Sequence, residues 1–385
     1  MFMKQEKGQK LTICFLGEAK ETDIHAVKWA KYFSDNGHNV HLFSYFPFDK
    51  KNTVPEITLH LLEKKSPIKV WPFVSLLNIP SILKKVKREI KAISPDIIHA
   101  HCVTSYGTLS SLLNFHPFIM TAWGSDILIT PKESFAKKLI TRWALSKADL
   151  ITCDAEHMRK AIMRFGVPES EIKIIHFGVD TQNFSPGPEN EDLKRGLRIL
   201  DQDKVVISFR FLESLYDTQT LIQSIPLVLK KVSEVTFLIA GSGSEEGKLK
   251  KLSEDLKVSD NVRFIGWIDK EVLPQYLRLS DICVSTALSD AGIASSTAEA
   301  MASALGVIVT NTGENEKWLK DGENGFVIPV KSPKILAERI TRLLQDDSLR
   351  RQFGARARKV IEERNNYHRE MEKMENIYYQ LCKNK

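Results

Sequence analysis

The chain lacks long hydrophobic runs, has few cysteines, and is short of acid in its first half. No segment approaches the ~18 uninterrupted apolar residues of a membrane span, which argues against an integral membrane protein. The start, MFMKQEKGQK, is polar and leads into a short apolar stretch, so no secretory signal is expected and the cytoplasm is the expected compartment. Cys14, Cys102, Cys153, Cys283 and Cys382 are scattered singly, without CxxC spacing or a neighbouring histidine cluster. That pattern excludes a disulfide framework and reads as reduced core thiols with no metal site. There is no low-complexity segment and no repeat of solenoid period. Nucleic acid is not an expected partner, because no helix-turn-helix, zinc or RNP-like signature is present.

What is there begins with length. At 385 residues the chain exceeds what one core normally organises, and two domains of ~190 residues are expected. Residues 1–180 hold 25 Lys and Arg against 18 Asp and Glu, while the remainder balances at 30 against 30, so the whole net charge of +7 lies in the first half. Within 64–91 eight basic residues stand against one acid, Glu89, interleaved with Trp71, Phe73 and aliphatics. Two readings fit this segment: a solvated helix face over core residues, or contact with an anionic membrane surface or lipid-phosphate acceptor, peripheral on its inner face.

Apolar runs at 11–16, 39–44, 97–100, 118–121, 150–153 and 173–175 alternate with helical stretches and predict a parallel sheet covered on both faces. A turn-rich stretch from Phe177 to Pro188 reads as a linker. A second series follows at 205–209, 236–240, 262–265, 282–286, 307–310 and 325–328. The expected class is α/β, with two Rossmann-like domains facing across a cleft at the carboxyl ends of their strands. The expected boundaries are 1–185 and 186–365, followed by a last helix, 366–385.

The most informative run is Ser289 to Phe326. Gly292 permits a sharp turn, and Ile293, Ala294 and Ser295 lead into a helix whose first N–H groups have no internal partner and favour an anion such as a diphosphate. Glu299 is the only ionisable residue between Ala291 and Leu305, amid small residues that let a ligand approach. A carboxylate there can accept hydrogen bonds from two sugar hydroxyls; the alternative is a solvated Glu on a good helix former. Arg210 follows the strand at 205–209, where its forked cation matches a diphosphate. Gly241 and Gly243 follow the strand at 236–240, placing bare backbone near phosphates. Trp267 is placed either to stack on a base or to pack. His101 ends another strand, where it would bind a hydroxyl or the leaving phosphate, or serve as a structural hydrogen bonder.

The residues Glu299-Ala300-Met301-Ala302, Gly306 to Thr310, Gly313, Glu316 and Asp321 to Phe326, with Pro95 to His101, resemble family 4 of the retaining glycosyltransferases (glycosyl transferases group 1, GT-B fold). The resemblance implies transfer of a sugar from a nucleotide-diphosphate sugar to the hydroxyl of a glycan or lipid-linked acceptor, without metal or cofactor. It also implies that the last helix crosses back to complete the first domain. Several positions depart from the family pattern. Ala291 stands where the first of two glutamates is usual, with Asp290 one step back. Leu215 and Tyr216 occupy the place of a lysine that joins Arg210 on the diphosphate. Trp123 replaces a histidine in Thr121 to Asp126, leaving Gly124 and Asp126 as the expected substrate contacts, and Gly17 alone remains of a glycine-rich loop near the acceptor. Other hypotheses are a catalytically silent relative that binds a nucleotide sugar or a partner enzyme, a GT-B epimerase or phosphorylase, and a pure membrane-binding protein.

Overall fold

The computed structural model describes residues 10–19, 24–48, 54–62, 79–290 and 292–383. The chain divides into two compact units, one of residues 1–177 with 370–385 and one of residues 178–369. Each is a wholly parallel sheet carrying helices, as the alternation of β-branched runs with amphipathic stretches predicts.

In the first unit the strands are β1 (Thr12–Leu16), β2 (Asn39–Ser44), β3 (Ile57–Leu61), β4 (Ile97–His101), β5 (Phe118–Thr121), β6 (Leu150–Cys153) and β7 (Ile172–Ile174). They lie in the order β3-β2-β1-β4-β5-β6-β7. The edge strand β3 was not expected from sequence. It is short and its outer positions are polar, and its pairing with β2 supplies the order that the sequence pattern lacks. The second unit contains β8 (Lys204–Phe209), β9 (Val235–Ala240), β10 (Val262–Gly266), β11 (Ile282–Ser285), β12 (Gly306–Thr310) and β13 (Phe326–Ile328), ordered β10-β9-β8-β11-β12-β13. All residues of β9 and β12 are buried, which explains why their sequences are apolar apart from Thr236 and Thr310.

Strand order reverses once in each sheet, between β1 and β4 and between β8 and β11. Such switch points open a crevice beyond the strand ends, where ligands bind in doubly wound sheets. Gly17 and His101 stand at the first reversal. Arg210 and the loop leading to Asp290 stand at the second.

The helix Tyr367–Lys383 packs its later turns into the first unit. Tyr378 is fully buried, its ring stacked on Phe33 at 4.7 Å, and its hydroxyl lies 2.5 Å from His99 Nδ1. His99 Nε2 meets Thr121 Oγ1 at 2.6 Å, and Thr121 meets Thr152 at 2.6 Å, so one polar chain runs from the helix across β4, β5 and β6. Burial pushes His99 well below its ordinary value, and the neutral ring donates on one side and accepts on the other.

The described part of the basic segment is the helix Ile79–Ile93. Its Ile82, Val86 and Ile90 enter the core while Lys84, Lys87, Arg88 and Lys91 face solvent, which is the arrangement of an ordinary covering helix. Trp71 and Phe73 lie outside the described residues.

Candidate functional site

At the second reversal the chain gathers four ionic groups from three loops and a helix. Arg210 emerges directly after β8, and its Nη2 donates to Asp290 Oδ1 at 2.7 Å. Both side chains are largely withdrawn from water, 12% and 8% exposed. Arg210 Nη1 also reaches Ser296 Oγ at 3.4 Å, and the guanidinium sits 4.5 Å above the Tyr216 ring. Asp290 Oδ2 is buried with no hydrogen-bond partner among the described residues, an arrangement that is costly unless something else occupies it.

The helix after this loop begins at Ser295 and runs to Ala302. Ala294 is its N-cap and has no side chain able to satisfy the first amides, and the Ser296 hydroxyl in the opening turn accepts from Arg210 Nη1. Gly292 and Ile293 are buried in the approach to it. Glu299 follows one turn into the helix, 8% exposed, with Lys270 Nζ 3.6 Å from its Oε1. Ala291, where the family has its first glutamate, lies outside the described residues.

Lys270 was not singled out by sequence. It lies in the loop after β10, 29 residues before Glu299, and the two meet only in the folded sheet, whose order runs β10-β9-β8-β11. A lysine in a polar turn gives no signal by itself.

Gly241 and Gly243 lie close against the backbone of the Arg210 loop. Gly241 has φ of 124°, and a side chain on it would strike the Arg210 carbonyl oxygen at 2.1 Å; one on Gly243 would strike Leu212 O at 2.3 Å. The Gly241 amide itself donates to Gly266 O at 2.7 Å. These glycines let the loop after β9 lie against the loop carrying Arg210, which seats the arginine. Trp267 is 53% exposed and stacks on Phe211 at 5.5 Å, and Phe211 in turn neighbours Tyr216. An exposed aromatic ledge thus adjoins the charged cluster.

The first unit holds the remaining candidates. His101 is 1% exposed, its ring 5.6 Å from Trp123 in a stacked arrangement and 5.3 Å from Trp29 edge-on. A side chain on Gly17 would meet Ala26 Cβ at 2.6 Å and His101 Cβ at 3.5 Å, so the loop after β1 lies directly against His101. Asp126 is 2% exposed, and its carboxylate accepts from the amides of Val103 at 2.8 Å, Gly124 at 2.9 Å and Trp123 at 3.1 Å. Burial raises its pKa and these amides oppose that rise. With its oxygens committed to the backbone, Asp126 braces the loop that follows β5 against the turn that follows β4. A π-helical turn, Cys102–Gly107, occupies that second position, a feature often found beside functional sites.

Two α/β units, each built on a wholly parallel sheet, are the layout of the GT-B fold. Residues 189–360 match the model of the glycosyl transferases group 1, and residues 12–155 that of the glycosyl transferase 4-like family. The chain belongs to this family of glycosyltransferases. It is 22% identical to N-acetyl-alpha-D-glucosaminyl L-malate synthase of Bacillus anthracis over 361 residues, 92% of each chain. It is 25% identical over 220 residues to a GDP-mannose-dependent phosphatidylinositol monomannoside mannosyltransferase of Mycobacterium tuberculosis, covering 55% of this chain and 57% of that one. Among solved structures, HepE of Anabaena in complex with UDP superposes with a TM-score of 0.81 at 18% identity, covering 96% of this chain and 100% of that chain. Sucrose-phosphate synthase of Thermosynechococcus elongatus gives 0.80 at 18% identity, covering 98% and 100%.

Proposed function

We propose that the chain transfers a sugar from a nucleotide-diphosphate donor to an acceptor hydroxyl with retention at the anomeric carbon, in polysaccharide, glycolipid or cell-envelope glycan synthesis. The observation that carries this reading is the joint placement of Arg210, the uncapped amides of Ser295 to Thr297, and Glu299 at the strand reversal of the second unit. A diphosphate needs cations and amides; a sugar or ribose needs a hydrogen-bond acceptor one turn away. The complexes of HepE with UDP and with UDP-glucose, and the GDP-mannose dependence of the mycobacterial relative, support a nucleotide sugar as donor.

In this reading Arg210 and the helix amides hold the diphosphate, and Asp290 accepts from the donor sugar in place of the glutamate missing at Ala291. Lys270 serves as the second cation that Tyr216 cannot be. Once the anionic diphosphate arrives, the ammonium swings from Glu299 to the phosphate and frees the carboxylate for hydroxyls. The bond from the anomeric carbon to the diphosphate oxygen breaks through an oxocarbenium-like state, and the acceptor oxygen bonds to that carbon on the same face. The acceptor proton passes to the departing phosphate oxygen. Catalysis is then electrostatic preorganisation, without metal or a strong protein base. Trp267 stacks on the base, and Gly17, His101, Trp123 and Gly124 are assigned to the acceptor side.

The test is release of nucleoside diphosphate from a set of UDP- and GDP-sugars, compared between wild type and Glu299→Ala. Slow release by wild type, strongly reduced in the variant, is expected. Absence of both binding and release for every donor, with the two proteins indistinguishable, would sink the reading.

A further inference from the structure

The helix Phe135–Leu145, FAKKLITRWAL, carries apolar residues on both faces. A surface helix ordinarily turns its single apolar stripe to the core. Here Thr141, Ala144 and Leu145 face inward, while Phe135, Leu139, Ile140 and Trp143 stand in solvent at 75%, 49%, 49% and 38% exposure. Residues 135, 139 and 143 are spaced by four, so they form one ridge along the helix, with Ile140 beside it. Ile129, just before, is 60% exposed, and a groove lined in part by Leu139, Trp143, Phe165 and Val167 continues the apolar surface. Cations rim the ridge. Between residues 129 and 147 Lys132, Lys137, Lys138, Arg142 and Lys147 face one acid, Glu133, which pairs with Lys137.

We infer that this face docks the first unit onto an anionic lipid bilayer. Aromatic and aliphatic side chains on one ridge with Lys and Arg along its flanks suit a helix lying in the interface plane, ridge in the acyl boundary and cations at the phosphates. Among the described residues no helix is long and apolar enough to cross a membrane, so the contact is superficial. A second copy of the chain fits the face poorly, since it would bring two sets of these cations together. The surface is separate from the helix Ile79–Ile93, whose apolar side is already used in the core.

Flotation of the full chain with vesicles tests this directly and needs no sugar donor. One set is phosphatidylcholine alone, the other contains about a third phosphatidylglycerol. Wild type should float with the anionic vesicles and be released by salt. The variant Phe135→Ser/Leu139→Ser/Trp143→Ser should bind roughly a hundredfold more weakly. Lys138→Glu/Arg142→Glu should lose roughly tenfold or more, and it keeps the test open if the apolar variant folds poorly. Failure of wild type to float with anionic vesicles, or flotation of both variants equal to that of wild type, would overturn the inference. So would a wild-type dimer or a protein complex that the variants abolish in place of vesicle binding.

Discussion

At the reversal of the first sheet, between β1 and β4, the side chains are aromatic: His101 lies among Phe15, Trp29 and Trp123, close against Gly17. At the reversal of the second, between β8 and β11, they are ionic: Arg210, Asp290, Glu299 and Lys270, with a buried carboxylate oxygen unpartnered among the described residues. The two positions are topologically equivalent. The difference teaches that the fold supplies the place and the loops supply the chemistry, a charged cluster in one unit and a ring-lined, low-dielectric wall in the other.

The sharpest way to break this contrast is to remove the charge. Arg210→Ala should lower kcat by about 10²–10³, or about 2.7–4 kcal/mol of barrier, the scale of losing one preorganised donor to a developing anion. Steady-state turnover with the best donor reads this, and an unchanged kcat would detach the cluster from the reaction. Lys270 sharpens it next. Lys270→Ala and Glu299→Gln, measured singly and together, should show a coupling of about 0.5–3 kcal/mol in donor affinity. Strict additivity would mean that the 3.6 Å pair is incidental. Trp267→Ala should raise donor KM by about tenfold, within the ~1–3 kcal/mol range of base stacking, with kcat little changed.

On the first unit the expected effects fall on stability. Tyr378→Phe leaves the buried His99 ring without its hydroxyl partner and should cost about 1–3 kcal/mol in denaturant unfolding, with nucleotide binding to the second unit intact. The smallest expected effect is in acid. Glu375 meets His38 Nε2 at 3.0 Å, and that hydrogen bond holds its carboxyl below the ordinary glutamate value. A depressed carboxylate contributes stability fully above its unfolded pKa and loses it as the pH falls through the lower folded one. Acid titration of wild type against Glu375→Gln should therefore show the two converging below about pH 4.3.

Much of the architecture was legible because strands buried on both faces read as nearly continuous apolar runs, as in β9 and β12. Glu299 and Arg210 drew notice for a related reason: each is an ionisable residue beside small or apolar ones, Glu299 within a short helix and Arg210 just past the end of β8. Lys270 did not, since its partner is brought to it by strand pairing across a long separation. Gly241 and Gly243 show a different limit. A glycine pattern reports that backbone must approach something without naming it, and one such approach is to the Arg210 loop. The helix Phe135–Leu145 shows a third, because periodicity identifies its apolar positions without telling which of them a neighbour covers.

The docking of Tyr378 between Phe33 and His99 also bears on how the chain is made. Synthesis proceeds from the amino end, so the first unit leaves the ribosome first, yet its core lacks a central aromatic ring until residue 378 has emerged. The second unit, made later, has all its strands before that point. The unit born first is thus completed last, and during translation its exposed Phe33 and His99 surface is where a chaperone or a premature stop codon would have its effect.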